Sequence, residues 1–304
     1  MVETGNITRA SEKLNLAQTA LGQQIRLLEE SLGVPLLIRH SRGISLTEPG
    51  RVLHQHAVVI LRSIEAARKD VLAHSQEKKE VINLGVTPSI QALIGPEILV
   101  SAKEELPRIS LRMVEELSFI LIDALQRGEL DLALAYEIDD RRGLATTALA
   151  EEQLLFIRAP GTESSEGPVR FQKAISTELA LVSDRDIVWR LLHATAEQLS
   201  LRVNVAFEVQ SMPAIKTLVM RGVATSVVPF GVVAEEIQQG LIVACPIVQP
   251  SIKRTLFLSR MDTRGILPQE SELMAFLDSI VLRLVAKMGH YGSMLAHDLG
   301  AQRR

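Results

Sequence analysis

The stretch LNLAQTALGQQIRLLEE, from Leu14 to Glu30, decides how the N-terminal part of this chain folds. On a helix started near Gln18, Leu21, Ile25, Leu28 and Leu32 recur at helical spacing and form one apolar stripe. Thr19, Gly22, Gln23 and Arg26 fall on another stripe that holds no large apolar residue. Upstream, Ile7, Ala10 and Leu14 space a short helix opened by Asn6 or Thr8, and Asn15–Ala17 form the tight turn between the two. This is a helix-turn-helix layout. The first helix braces the second, which presents Gln18, Thr19, Gln23 and Arg26 outward. Gln can pair with adenine through two hydrogen bonds, Arg with guanine or phosphate, and Thr can touch a thymine methyl. The outer face therefore has major-groove chemistry, although a solvated face of a small helical bundle has the same spacing.

The sequence that follows favours the first alternative. PLLIRHSRGISL reads as two short strands, Leu36–Ile38 and Ile44–Leu46, around a tip carrying Arg39, His40 and Arg42. A basic hairpin directly after a helix-turn-helix is a wing that can follow phosphates. Residues 1–51 hold six basic and five acidic residues, so the positive charge is confined to that tip. Thr47 then caps a long helix over 47–76, with Pro49 in its first turn. Leu53, Ala57, Ile60, Ile64, Ala67 and Val71 make a heptad seam flanked by charge, which predicts self-association into a dimer.

The residues ITRASEKLNLAQTALGQQIRLLEESLGVPLLIRHSRGISLTEPG resemble the N-terminal domain of LysR-type transcriptional regulators. The shared frame is A-L-x-x-Q-I-x-x-L-E-x-x-L-G-x-x-L, then R-x-x-R-G-x-x-L-T-x-x-G and the long helix. The resemblance implies an N-terminal winged helix-turn-helix (1–46), a linker and dimerisation helix (47–76) and a two-lobed α/β, periplasmic-binding-protein-like effector domain (81–285). It implies Thr8, Gln18, Thr19, Gln23, Arg26, Arg39 and Arg42 as DNA contacts. Relatives carry further residues ahead of Met1, so the DNA-binding domain is expected to be N-terminally short. A missing amphipathic helix would expose the apolar face that it covers, at a cost of several kcal/mol. Gly22 stands where Ser is usual.

From Val81 the pattern alternates strands (VINLGV, ISLRMVEE, DLALAYE, ELALVS, VNVAFEV) with helices, which predicts a parallel sheet covered on both faces. Lobe I is expected over 81–159 and 260–285, lobe II over 160–259, and a loose tail over 288–304. Ligands in such sheets sit where strands end and helices begin. GVTPS places Thr87 and Ser89 there. Ser183, Arg185, Gln210, Ser211, Thr225 and Phe230 are candidates on the other lobe. Hydroxyls and an Arg in one cleft suit a small carboxylate or oxyanion, although Asp184 would repel one.

The same sequence argues against other classes. G-x-S-x-G, P-loop, H-E-x-x-H and G-x-G-x-x-G patterns are not found, and His54 and His56 face different ways on one helix. The single cysteine, Cys245, excludes an intrachain disulfide or a thiolate metal cluster and fits a reducing compartment. No signal peptide and no membrane-length apolar run are read. The expectation is a cytoplasmic, non-enzymatic transcriptional regulator. It would bind double-stranded promoter DNA as a homo-dimer or homo-tetramer, contact RNA polymerase, and answer to a small-molecule co-inducer without cofactor or metal. The alternative is a cytoplasmic small-molecule-binding protein with a defective DNA-binding domain.

Overall fold

Gln18–Leu32 forms the helix (α1) that its apolar spacing predicts. The computed structural model describes residues 10–12, 16–40, 43–73, 79–137, 143–161, 167–262, 267 and 269–296, and divides the chain into two units, Met1–Gln76 and Glu77–Arg304. Leu21 is buried and Ile25 half-buried, but Leu28 and Leu32 are 40% and 48% exposed. The apolar stripe thus holds the fold only over its first turns. Past Ile25 the helix is tied down through polar contacts. Glu29 Oε1 accepts the N–H groups of Leu36 (2.7 Å) and Leu37 (3.1 Å), anchoring the wing to α1.

The wing is an antiparallel pair, Leu37–His40 (β1) with Gly43–Leu46 (β2). Thr47 Oγ1 accepts the Gly50 N–H at 3.0 Å and opens the long helix Glu48–Ala73 (α2), as the sequence predicts. Gly50 is required because a Cβ there would lie 2.0 Å from the Leu36 carbonyl oxygen. No helix among the described residues is long and apolar enough to cross a membrane.

The second unit has two lobes. In the first, Glu80–Val86 (β3) pairs in parallel with Ile109–Glu115 (β4) and with Leu132–Tyr136 (β5). Lys253–Met261 (β13) runs antiparallel between β5 and Leu144–Gln153 (β6), so the sheet is mixed rather than parallel. The reason is the return crossing. β6 leaves the lobe and β13 re-enters it, so neighbours must point in opposite directions. Strand period decides the core. Leu132, Leu134 and Tyr136 of β5 join the large cluster under helices Pro88–Glu105 (α3) and Glu270–Met288 (α9), while Ala133 and Ala135 face Leu121 and Leu125 of helix Ser118–Gln126 (α4).

In the second lobe Leu155–Arg158 (β7) pairs antiparallel with Ser226–Val228 (β11) and Val243–Val248 (β12), and Val169–Arg170 (β8) joins β12 in parallel. Leu179–Leu181 (β9) pairs with Val205–Glu208 (β10) and bridges at Leu179 to Thr225. Helix Phe171–Ser176 (α5) leads into β9, and Ile187–Gln198 (α6) and Met212–Met220 (α7) follow β9 and β10 respectively. The short helix Ala234–Gln238 (α8) precedes β12. The lobe boundaries differ from the expectation. The crossings lie at Leu154 and at 249–252, where the Leu154 N–H donates to the Ile252 carbonyl at 2.9 Å. ALAEEQLLFIRAP carries no break, so the strand passes between lobes without a turn to announce it. RTLFLSR is a strand of the first lobe. The described part of the tail is ordered as well. Gly292–Met294 (β14) adds an edge strand to β6, and the Leu295 N–H donates to the Leu149 carbonyl. Residues 297–304 lie outside the described residues.

Candidate functional site

Between the two lobes lies a cavity of about 50 Å³. A water needs roughly 10–15 Å³ by such a measure, so the cavity admits a compact ligand in this arrangement. Four helix starts converge on its wall: Thr87–Ser89 for α3, Leu117–Ser118 for α4, Asp186–Val188 for α6 and Met212 for α7. Helix starts carry partial positive charge and unpaired N–H groups. Asp186 Oδ1 accepts the Val188 N–H and Ser211 Oγ accepts the Ala214 N–H, so α6 and α7 are closed by their own caps. The starts of α3 and α4 have no side-chain cap. Apolar side chains fill the rest of the wall, among them Leu117, Ile187, Ile215 and Val232. Gly231 packs closely on the start of α3, since a Cβ there would lie 2.4 Å from the Ser89 carbonyl oxygen.

The charged floor is Arg254, 5% exposed, from the second residue of β13. Its Nε and Nη2 donate to Glu152 Oε2 at 3.0 and 2.7 Å, and Nη2 also donates to Ser89 Oγ at 2.7 Å. Its guanidinium carbon stands 3.4 Å from the centre of the Tyr136 ring. Burial alone would lower the Arg254 pKa, but Glu152 and Tyr136 outweigh it and the pKa stands above its ordinary value. Burial, then Glu152, pushes the Tyr136 hydroxyl up. The Asp186 carboxyl is also raised by burial, against the pull of the Val188 N–H and Arg254.

Of the residues expected at the cleft, Thr87 and Ser89 line the cavity, buried and 3.3 Å apart through their hydroxyl oxygens. The others stand outside the lining. Arg185 turns away, over the Phe119 ring (4.2 Å) and 3.6 Å from Asp123. Gln210 is exposed, Ser211 serves as a cap, and Ser183 is buried in the turn before α6. Thr225 shares a 2.6 Å hydrogen bond with Thr177, and Phe230 packs on Tyr291 with ring centres 5.5 Å apart. Asp184 is exposed. Sequence reasoning missed Arg254, Asp186 and Ser118. Arg254 did leave a signal, since it shares the inward strand phase of Leu256 and Leu258.

In the first unit Gln18, Thr19, Gln23 and Arg26 are all outside the buried side of α1 marked by Leu21, with Gln18, Thr19, Gln23 and the neighbouring Gln24 exposed to solvent. Thr8, Arg42 and the side chain of Arg39 lie outside the described residues. On α2, Leu53 and Ala57 are half-buried and Ile60 and Ile64 exposed, while the side chains of Ala67 and Val71 lie outside the described residues.

Two family models match the chain. "LysR substrate binding domain" covers residues 75–280, and "Bacterial regulatory helix-turn-helix protein, lysR family" covers residues 1–51. The nitrogen assimilation regulatory protein nac of Klebsiella aerogenes is 30% identical over 93% of this chain and 92% of its own length. Among solved structures, a full-length OxyR variant from Pseudomonas aeruginosa superposes with TM-score 0.63 at 21% identity, covering 92% of this chain and 93% of that one. Full-length CbnR complexed with its target DNA gives 0.59 at 19% identity, covering 94% of each chain. At such identities the likeness is one of fold.

Proposed function

This chain belongs to the LysR family of bacterial transcriptional regulators, and from that premise we propose how its parts divide the work. The observation that carries the proposal is the polarity of α1, with Leu21 buried and the polar row of Gln18, Thr19, Gln23 and Arg26 turned outward. That row reads promoter DNA in the major groove, and Arg39 and Arg42 follow the backbone. Two chains pair through α2, whose Ile60 and Ile64 are 57% and 59% exposed, with a tetramer as the higher assembly. The effector is a small molecule with an acidic end and an apolar body. In support, the cavity joins a mostly apolar wall to two uncapped helix starts and a buried Arg. Binding biases two arrangements of the assembly, and the DNA-bound form contacts RNA polymerase. The protein works in the cytoplasm without cofactor, metal or turnover. In support, the relatives are regulators, and the sequence carries no motif that sets a nucleophile beside a base.

The test is fluorescence anisotropy with a duplex from upstream of the gene and a panel of single-base variants. Gln23→Ala is expected to relax preference at one or two base pairs, by ~1–3 kcal/mol each. Equal loss on every duplex would remove Gln23 from the readers.

A further inference from the structure

The ion pair beneath the cavity is also the joint between the lobes. Arg254 and Glu152 are cross-strand partners in the β13–β6 register. Glu152 lies two residues before the first crossing at Leu154, and Arg254 two residues after the second, at Ile252. The Leu154–Ile252 backbone bond links the crossings themselves. Arg254 therefore has one side on the hinge and the other on the ligand wall.

Its hydrogen bonds are unevenly used. Nε and Nη2 are engaged by Glu152 and Ser89, while Nη1 donates to no described residue. Glu152 is 1% exposed, and its Oε1 is buried without a hydrogen-bond partner among the described residues. A guanidinium with a spare N–H₂ beside a cavity will take a planar oxyanion, and a carboxylate is the compact one. Glu152 and Asp186 are the anions already near it, so an incoming carboxylate competes with Glu152 for the same cation.

We propose that Arg254 is the effector's carboxylate contact and that its bond to Glu152 is what the effector perturbs, so that ligand charge is read directly at the lobe hinge. This rests on the reading of the cavity as the effector site. It assigns recognition to a strand residue next to the crossing rather than to a loop. A carboxylate on Nη1 draws the guanidinium from Glu152, and the two hinge strands lose the side-chain tie that faces the ligand.

The experiment uses the full chain and a fixed panel: acetate, 3-methylbutanoate and benzoate, each beside its uncharged amide. Binding is read by thermal shift and by Trp189, the single tryptophan, which follows the wall residue Val188 on α6. At least one acid is expected to bind ~10-fold or more tightly than its amide, as a charged hydrogen bond implies. Arg254→Lys keeps the charge but not the fork, and is expected to bring acid and amide within about twofold. Glu152→Gln removes the competing anion. It is expected to lower the melting temperature, to bind the same acid about tenfold tighter, and to recover stability when that acid is added. A residue that only props up the fold would weaken binding in both variants.

Amides that bind as well as acids, or acid binding that Glu152→Gln weakens, overturn the role of Arg254 and leave the cavity as the effector site. Should Arg254→Lys fail to fold, the sign of the Glu152→Gln effect decides alone. A chain that responds to no member of the panel contradicts the carboxylate reading of the cavity itself.

Discussion

The two units of this chain spend their apolar residues differently. In the effector unit, Leu84, Leu134, Ile90 and Leu277 are fully buried, and the polar groups inside include the cluster around Arg254 as well as Asp131 and Arg158. In the N-terminal unit, large apolar side chains stand at the surface, on α1 as Leu27, Leu28 and Leu32, and on α2 as Ile60, Leu61 and Ile64. The effector unit closes a large core on itself and leaves a minority of its apolar residues outside, Val100 at 61% and Leu282 at 56% exposure among them. The other leaves its apolar rows on its surface, where the proposed pairing through α2 can be tested. The lesson is that the same leucine-rich composition is mostly buried where strands alternate with helices, and is left largely exposed where a long helix carries a narrow seam.

Three variants press on that contrast. The largest effect is expected from Ile60→Asp with Ile64→Asp, which places charge on the exposed seam. Sedimentation should show loss of self-association, and DNA affinity should fall ~10²-fold or more, because two linked heads become one. Unchanged association would mean that the surface apolar residues of α2 have another purpose. Next is Leu84→Ala in the effector core, expected to cost ~3 kcal/mol in urea unfolding followed by Trp189 fluorescence. The smallest is Leu28→Ala on α1, expected to cost at most about 1 kcal/mol, since the side chain is already 40% exposed. A cost for Leu28 equal to that for Leu84 would erase the distinction between the units.

The legibility of the sequence follows the same division. Helix α1, the β1–β2 hairpin and the cap at Thr47 were readable because each is a local pattern, complete within a few residues. Thr87 and Ser89 were readable because a strand end followed by Pro88 fixes a helix start. Arg254 was not read as a site residue. Its partner Glu152 is 102 residues away, and only the pairing of β6 with β13 brings them together. The lobe boundary escaped because an apolar strand that changes sheets needs no turn. The short strand β14 escaped because GSM has no strand signature, and it pairs because β6 offers an edge. Arg185 was misplaced for a physical reason: its long side chain reaches across to Phe119 and Asp123, where it is solvated, instead of entering a small apolar cavity.

The central claim is that a ligand between the lobes changes how the chain holds DNA. The direct measurement is anisotropy of a labelled promoter duplex with the full chain, without and with the acid that best raises its melting temperature. A change in apparent Kd of about fivefold or more is predicted, because effector coupling is typically ~1–3 kcal/mol. A Kd and a footprint both indifferent to a ligand that demonstrably fills the cavity would contradict it.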